Sequence, residues 1–169
     1  MAAGLEAGRT GGEGQIAVVT GASRGLGREV ARALAAQGYH VVGTVRSDAT
    51  GEAFRGWLAQ RGFGSTFLTL DVTAPDAGAR LAAAVPDGVD VVVNNAAVAL
   101  QGFDLAVVDN TLAVNVTGAL RVLDALVPRL RPGARVVNVA SGIADEATLD
   151  PALRARFSAP DLDRACLYA

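Results

Sequence analysis

TGASRGLG at residues 20–27 is the stretch that decides the fold, and it directly follows the apolar run QIAVV at residues 15–19. A strand, a glycine-rich turn and a helix in this order form the arrangement that binds the pyrophosphate of a dinucleotide. Gly21 allows a sharp turn off the strand, Gly25 lets backbone N–H groups approach the phosphates, and Gly27 lets the helix pack closely on the sheet. The alternative is a strand, turn and helix without a ligand, and the helical pattern that continues after Gly27 favours the dinucleotide site.

From residue 15 onward, strand patterns alternate with helix patterns. The strand runs are rich in valine and continuous, as expected of parallel strands covered on both faces; they lie at residues 16–20, 40–45, 65–70, 89–94 and 134–140. Helix patterns occupy residues 25–37, 51–61, 75–84 and about 109–130. The last helix is closed by Pro132-Gly133 and carries one apolar stripe, which comprises Leu112, Val116, Leu120, Leu123, Val127 and Leu130. These units predict an α/β fold, a Rossmann-type doubly wound parallel sheet of strand order 3-2-1-4-5.

Composition limits the class of protein. The chain has 169 residues, a net charge of −2 and scattered arginines, which argue against a nucleic-acid partner. No apolar run reaches the length of a membrane span, so we expect no membrane partner. A single cysteine, Cys166, excludes an internal disulfide and fits a reducing compartment, so we expect a cytoplasmic protein. We expect a disordered leader at 1–14, one dinucleotide-binding domain at 15–157 and an irregular tail at 158–169.

Several motifs, in this order along the chain, resemble those of the short-chain dehydrogenase/reductase family. They are TGASRGLG at 20–27, Asp71-Val72, NNAA at 94–97, Asn115 within VNVTG, and Ser141 at the end of VVNVAS. The resemblance covers residues 15–157. After Ser141 the sequence is most similar to the carbonyl-reductase subgroup, in which an additional helical stretch, here residues 149–157, separates the catalytic serine from the catalytic tyrosine.

The resemblance implies an oxidoreductase that transfers a hydride between NADPH and a carbonyl substrate such as an aldehyde, ketone or quinone, without a metal ion. Ser141 would hydrogen-bond the substrate carbonyl oxygen, Asn115 would hold a water in the proton relay, and Asp71 would hydrogen-bond adenine. The alternatives are structural. Asp71 could only cap the turn before Thr73, and Ser141 could only cap a helix or a turn. The expected cofactor-binding residues are Gly21, Ser23, Arg24, Gly25, Leu26, Gly27, Arg46, Asp71, Val72, Asn94 and Ala96.

The end of the second predicted strand indicates which cofactor is bound. Enzymes that prefer NAD usually place a carboxylate there, which bonds the ribose 2′-hydroxyl and would repel a 2′-phosphate. This chain has Arg46-Ser47 instead, so Arg46 can pair bidentately with the phosphate and Ser47 can donate a hydrogen bond. Arg24 adds positive charge on the same side, and we expect Asp48 to point outward. The prediction is NADP(H); the alternative is that Arg46 is a solvated surface arginine.

The end of the chain departs from the family pattern. In the family a tyrosine gives its proton to the carbonyl oxygen, and a lysine four residues later holds the ribose and favours the ionised tyrosine. Here all 15 basic residues are arginine, and the tyrosines are Tyr39, on the wrong side of the predicted fold, and Tyr168, next to the last residue. We therefore expect a sequence cut short before the catalytic tyrosine, through a gene-model error, alternative splicing or truncation, with the C-terminal strands of the sheet missing.

Two functions from different classes fit this sequence. One is an NADP-dependent carbonyl reductase whose functional form is longer and which acts on a small-molecule carbonyl substrate. The other is an NADP(H)-binding module without turnover. In either case the outer edge of the fifth strand would have no partner, so we expect poor solubility or self-association of the isolated chain.

Overall fold

The computed structural model describes residues 14–102, 104–141 and 146–160. The chain divides into two compact units, one ending at Asn138 and the other beginning at Val139. The predicted leader up to residue 13 and the tail from residue 161, with Cys166 and Tyr168, lie outside the described residues. The single domain predicted for 15–157 includes parts of both units, and its unity stays a prediction.

The first unit contains a five-stranded parallel sheet. Its strands are β1 (Ile16–Val19), β2 (His40–Val45), β3 (Ser65–Thr69), β4 (Val89–Asn94) and β5 (Leu130–Asn138). Their order is β3-β2-β1-β4-β5, which confirms the predicted topology. Val18 in the central strand is in register with Val42 on one side and Val92 on the other.

Helices follow the first four strands, as the sequence pattern predicts. They are α1 (Gly25–Ala36), α2 (Asp48–Ala59), α3 (Ala77–Ala84), α4 (Leu105–Leu112) and α5 (Ala119–Leu126). A π-helical turn over Ala113–Gly118 joins α4 to α5, and a 3-10 turn over Val127–Arg129 leads from α5 into β5.

The core lies on both faces of the sheet. One face packs against α3 and α5, with Val18, Val42, Leu81, Val122 and Leu126 buried in one cluster. The opposite face packs against α1 and α2 and buries Ala17, Val19, Ala31, Phe54 and Leu58. Because successive side chains of a strand point to opposite faces, Ala17, Val18 and Val19 must all be apolar, which explains the continuous apolar runs.

The prediction for the last helix was wrong at both ends and on its packed face. The helical segment begins at Leu105 rather than at 109, and β5 begins at Leu130, before Pro132-Gly133 rather than after it. On the predicted stripe, Leu112 and Val127 are 45% and 55% exposed, whereas the buried side chains are those of Val122 and Leu126. The π-helical turn has five-residue hydrogen-bonded steps, so the faces shift relative to a regular helical repeat.

Helical turns continue from Leu105 to Arg129, a segment of 25 residues that contains an 18-residue window with a mean hydropathy of 1.2. By length and composition alone this segment could cross a membrane, although the sequence prediction found no run long enough. Core helices of soluble proteins, which are mostly buried, pass the same test; here 17% of the apolar window is buried, and Val122 and Leu126 of this segment lie in the core. The absence of a membrane partner therefore stays a prediction.

The second unit contains a 3-10 turn (Glu146–Thr148) and helix α6 (Pro151–Phe157). Asp150 caps α6, since its side chain accepts a hydrogen bond from the Ala152 N–H at 2.9 Å. Pro151 occupies the first helical turn, where a missing N–H costs nothing. This helix corresponds to the additional helical stretch expected at 149–157.

Candidate cofactor-binding site

The carboxyl ends of β1 to β4 border one cleft of about 310 Å³. Ligands of open α/β sheets bind at this edge, near the point where strand order reverses. Every predicted cofactor-binding residue except Asn94 contributes to the lining. The full lining comprises Gly21, Ser23, Arg24, Gly25, Leu26, Gly27, Thr44, Val45, Arg46, Leu70, Asp71, Val72, Asn95, Ala96, Ala97, Val98 and Val114.

The glycine-rich turn has the backbone conformation that its sequence requires. Gly21 turns the chain off β1 at φ +66°, a left-handed conformation that favours glycine. Its N–H donates to the Thr44 Oγ1 at 3.2 Å, which fixes the turn against β2. A Cβ at Gly27 would collide with the Asn95 Nδ2 and with the Gly21 carbonyl oxygen, so only glycine lets α1 approach this closely. The turn therefore leaves the first N–H groups of α1 beside the cleft, where an anion would be favoured.

Thr20 joins the end of β1 to the loop after β4. Its buried Oγ1 accepts hydrogen bonds from the backbone N–H groups of Asn95 and Ala96, each at 2.9 Å, and lies 3.4 Å from the Val93 carbonyl oxygen. The Asn95 Nδ2 in turn donates to the Thr20 carbonyl oxygen at 2.9 Å. These reciprocal bonds hold two walls of the cleft together.

The wall beyond β2 presents a cation. Arg46 lines the cleft and its residue is exposed. Ser47 does not line it; its Oγ accepts a bond from the Thr50 N–H and caps α2, so the predicted phosphate contact of Ser47 competes with a capping role. The Asp48 Oδ1 accepts a hydrogen bond from the Thr69 hydroxyl and also lies outside the lining, as expected. At the end of β2 the cleft therefore presents the positive charge of Arg46 and not the carboxylate of Asp48.

The turn after β3 is organised by Asp71. Its Oδ1 accepts hydrogen bonds from the Thr73 N–H at 2.8 Å and from the Thr73 hydroxyl at 2.7 Å. The backbone bond from Thr73 and then its hydroxyl bond lower the pKa of Asp71 from its ordinary value; burial opposes them, and the charge of Arg46 adds a smaller lowering effect. Asp71 thus has the turn-capping role that was the alternative for it, and it also lines the cleft as an ionised group.

Asn94 is the one predicted cofactor residue that the structure places elsewhere. Its side chain is buried, and its Nδ2 donates to the Asn138 Oδ1 at 2.9 Å and lies 3.4 Å from the Ala119 carbonyl oxygen. Because residues alternate in direction along a strand, Asn94 faces away while the next residue, Asn95, reaches the cleft. Asn95 therefore lines the cleft where Asn94 was predicted, and a cofactor contact of Asn94 stays a prediction.

Asn115 lies in the π-helical turn and contacts the loop after β4. Its Oδ1 accepts a hydrogen bond from the Val98 N–H at 2.9 Å, and its Nδ2 donates to the Val98 carbonyl oxygen at 3.0 Å. The side chain therefore positions a segment of the cleft wall. Its predicted role in holding a water stays a prediction.

Ser141 lies in the second unit, beyond the end of β5, and its residue is exposed. It takes part in an interaction within the structure. Its predicted bond to a substrate carbonyl oxygen stays a prediction.

Sequence reasoning missed several residues that shape this cleft. Thr44 and Val114 line it, and Thr20 ties its walls together. Because these residues lie at strand ends or in an apolar helix, their sequence context indicated packing rather than contact with a ligand. A threonine directly before the glycine turn, at the end of an otherwise apolar strand, is the one signal that could have been followed, because a buried hydroxyl needs partners.

With this geometry established, comparison with known proteins identifies the class. The sequence model of the family described as short chain dehydrogenase matches residues 15–150. The chain belongs to the short-chain dehydrogenase family.

Relatives and solved structures agree with this assignment. The chain is 31% identical over 156 residues to the 3-oxoacyl-(acyl-carrier-protein) reductase FabG of Vibrio cholerae, covering 87% of this chain and 62% of that protein. A short-chain dehydrogenase/reductase from Serratia marcescens superposes with a TM-score of 0.73 at 27% identity, covering 82% of this chain and 59% of that one. A metagenomic short-chain oxidoreductase in complex with NADP superposes with a TM-score of 0.71 at 33% identity, covering 76% of this chain and 63% of that one. The chain thus spans about three fifths of the length of the curated relative, as the 62% coverage gives.

Proposed function

We propose that this chain binds NADP(H) and represents a reductase that transfers a hydride between NADPH and a carbonyl compound. The observation that carries the cofactor assignment is the cleft wall beyond β2, where Arg46 faces the cleft and Asp48 is held by Thr69. A guanidinium at this place favours a ribose 2′-phosphate, whereas NAD-binding sites use a carboxylate there. The NADP bound to the metagenomic relative supports the same cofactor.

The residues present fit such a cofactor along the whole cleft. The glycine turn offers backbone N–H groups to a pyrophosphate, and the space beside Gly27 would be filled by any side chain. Asp71 and Val72 line the end of the cleft proposed to hold adenine, and Leu26, which is 57% exposed, lines the cleft at the glycine turn. NADPH supplies a hydride when bound; the protein must orient it and deliver a proton to the carbonyl oxygen.

Ser141 is proposed to bond the carbonyl oxygen of the substrate, and Asn115 to hold the relay water. The proposed substrate class is an aldehyde, ketone or quinone, since these accept a hydride at a carbonyl carbon. The reductase activity of the Vibrio cholerae relative supports the direction of the reaction.

A second candidate is NADP(H) binding without turnover by these 169 residues. The observation that favours it is the composition, which has 15 basic residues and no lysine among them. The family resemblance assigns a lysine to the nicotinamide ribose, so the residue that would orient the hydride donor is absent from this sequence.

We also propose self-association through β5. It is an edge of the five-stranded sheet, and Val136 and Val137 are 39% and 47% exposed. An apolar edge strand is a template for another strand. Sedimentation over a range of concentrations tests this, and a monomer at every concentration contradicts it.

Calorimetric titration of the purified chain with NADPH and NADH tests the cofactor proposal. We expect NADPH to bind at least about tenfold more tightly, which corresponds to about 1.4 kcal/mol. Equal affinities would contradict the assignment to NADP(H), and binding of neither would contradict the cofactor site. NADPH oxidation assayed with aldehydes, ketones and quinones then separates the reductase from the binding module.

A further inference from the structure

We propose that Arg121 is a positioning residue for the adenine end of the cleft, acting through the peptide group between Val72 and Thr73. This inference rests on the proposed cofactor function and names a residue outside the cleft lining. Arg121 extends from α5, and its Nη1 donates to the Val72 carbonyl oxygen at 2.7 Å. The contact joins residues 49 positions apart in the sequence.

The bond matters because of what holds the other end of the same peptide group. The Val72 carbonyl and the Thr73 N–H belong to one planar unit. Arg121 holds the carbonyl, and the Asp71 Oδ1 accepts from the N–H at 2.8 Å. Both bonds involve a charged partner, which makes them stronger than neutral ones. Rotation of this peptide would break both bonds, so Arg121 and Asp71 together fix its orientation.

The helix that carries Arg121 lies directly against the turn. A Cβ at Gly118 would lie 2.7 Å from the Val72 Cγ2, so the absence of a side chain lets α5 approach this closely. On the neighbouring helix α3, a Cβ at Gly78 would lie 3.7 Å from the Arg121 Cγ and 3.2 Å from the Ala125 Cβ. The stem of Arg121 therefore runs close to the backbone of α3 at Gly78, and its Nη1 donates to the Val72 carbonyl oxygen.

The consequence concerns the Asp71 carboxylate. Its Oδ1 accepts both bonds from Thr73, and its Oδ2 accepts no hydrogen bond from any residue that the structure describes. A fixed peptide keeps Oδ1 engaged and leaves Oδ2 to accept from an amino group in the cleft, such as that of adenine. Loss of Arg121 frees the peptide, and with it the orientation of the carboxylate. The preference for a 2′-phosphate, which depends on Arg46, should not change.

The test compares Arg121→Met, which keeps the stem, with Arg121→Lys, which keeps a donor. Arg80→Met is the matched control, because the Arg80 Nη2 also donates to a backbone carbonyl, that of Thr69 at 2.6 Å, outside the cleft lining. We expect Arg121→Met to weaken NADPH and NADH binding by the same factor of about ten, with the NADPH-to-NADH ratio unchanged. Arg121→Lys should recover most of the affinity, and Arg80→Met should bind as the unmodified chain does.

Amide hydrogen exchange at Thr73 without cofactor gives an independent measurement. Arg121→Met should accelerate this exchange about tenfold or more, and Arg80→Met should leave it unchanged. Unchanged exchange and unchanged affinity in Arg121→Met would overturn the inference, as would equal losses in Arg80→Met. If the unmodified chain bound neither cofactor while Thr73 exchange still responded to Arg121→Met, the cofactor proposal would fail and the peptide-fixing role of Arg121 would stand.

Discussion

Asn115 holds both backbone groups of Val98: its Oδ1 accepts from the N–H at 2.9 Å, and its Nδ2 donates to the carbonyl oxygen at 3.0 Å. The amide side chain thus makes the pair of hydrogen bonds with the Val98 backbone that an adjacent strand would make. Val98 lines the cleft, and Asn115 lies in the π-helical turn between α4 and α5. One helical segment therefore fixes two parts of the cleft wall, through Asn115 at Val98 and through Arg121 at Val72.

Replacing Asn115 by alanine should loosen the loop after β4. Two hydrogen bonds of about 0.5–1.5 kcal/mol each are lost, so we expect the free energy of unfolding to fall by about 1–3 kcal/mol. NADPH affinity should fall as well, because Val98 lines the cleft. Asn110→Ala on α4 controls for the change in helix propensity, since the Asn110 residue is exposed. Urea unfolding and calorimetry measure both effects; equal stabilities of the two variants would contradict the role of Asn115.

Replacing Arg46 by aspartate should reverse the cofactor preference. The variant places a carboxylate on the cleft wall, where it repels a 2′-phosphate and can accept from a ribose 2′-hydroxyl. Calorimetry should show weaker NADPH binding and retained or improved NADH binding. Arg55→Asp makes the same charge change on the exposed face of α2, where Arg55 pairs with Glu52. A loss of NADPH affinity shared by both variants would point to net charge instead of Arg46.

Replacing Gly118 by alanine should destabilise the chain. The new Cβ would lie 2.7 Å from the Val72 Cγ2 and 3.2 Å from the Ala113 carbonyl oxygen, so the helix or the turn must move. We expect a loss of about 1–3 kcal/mol in the free energy of unfolding. Gly56→Ala on α2 is the opposite case, because nothing lies within 4 Å of the new Cβ. Since alanine favours a helix over glycine, this variant should raise the free energy of unfolding by about 0.5–1 kcal/mol. Urea unfolding compares the two, and a stabilised Gly118→Ala variant would contradict the close packing described here.

Asp71 should make stability depend on acidic pH. The Thr73 backbone bond, the Thr73 hydroxyl and Arg46 lower the pKa of Asp71 in the folded chain. The unfolded chain therefore binds a proton at a higher pH than the folded chain does, and stability rises with pH in that window. This contribution is fully present above the unfolded pKa and is lost as the pH falls through the folded one. In urea titrations at acidic pH, Asp71→Asn should flatten this part of the profile more than Asp76→Asn does. Identical profiles of stability against pH for the two variants would contradict a contribution from Asp71.

The sequence was sufficient for the order of the strands and for most of the cleft, because both depend on local patterns. Continuous valine runs marked the strands, and the glycine turn marked the edge where a ligand binds. The start of β5 could not be read in this way, because Pro132 and Gly133 resemble a break between elements. An edge strand tolerates a proline, and the β4–β5 pairing has a register shift between Val89 and Val91 that accommodates it.

The remaining differences concern contacts between distant residues. Asn95 lines the cleft, whereas the side chain of the adjacent Asn94 donates to Asn138, 44 positions away in the sequence. Likewise, nothing near Arg121 in the sequence indicates that its partner is Val72. Such pairs follow from the packing of α5 on the sheet, which no local pattern specifies.

Carbonyl reduction needs a proton donor as well as a hydride. Transfer of a hydride to a carbonyl carbon requires a proton at the oxygen, and a positioned acid contributes about 10²–10⁴-fold. The sequence contains no lysine, and its tyrosines are Tyr39 and Tyr168. Tyr39 directly precedes β2, at the amino end of a strand whose carboxyl end borders the cleft. Tyr168 lies outside the described residues.

We therefore expect no carbonyl reduction above background by these 169 residues, even with NADPH bound. The rate of carbonyl reduction is measured as the loss of NADPH absorbance in the presence of an aldehyde, a ketone or a quinone. Cofactor binding is verified in the same sample. Rapid oxidation that requires the carbonyl compound and disappears in Ser141→Ala would contradict this expectation. If Tyr168→Phe alone abolished that activity, Tyr168 would be the proton donor, because the substitution removes only its hydroxyl group.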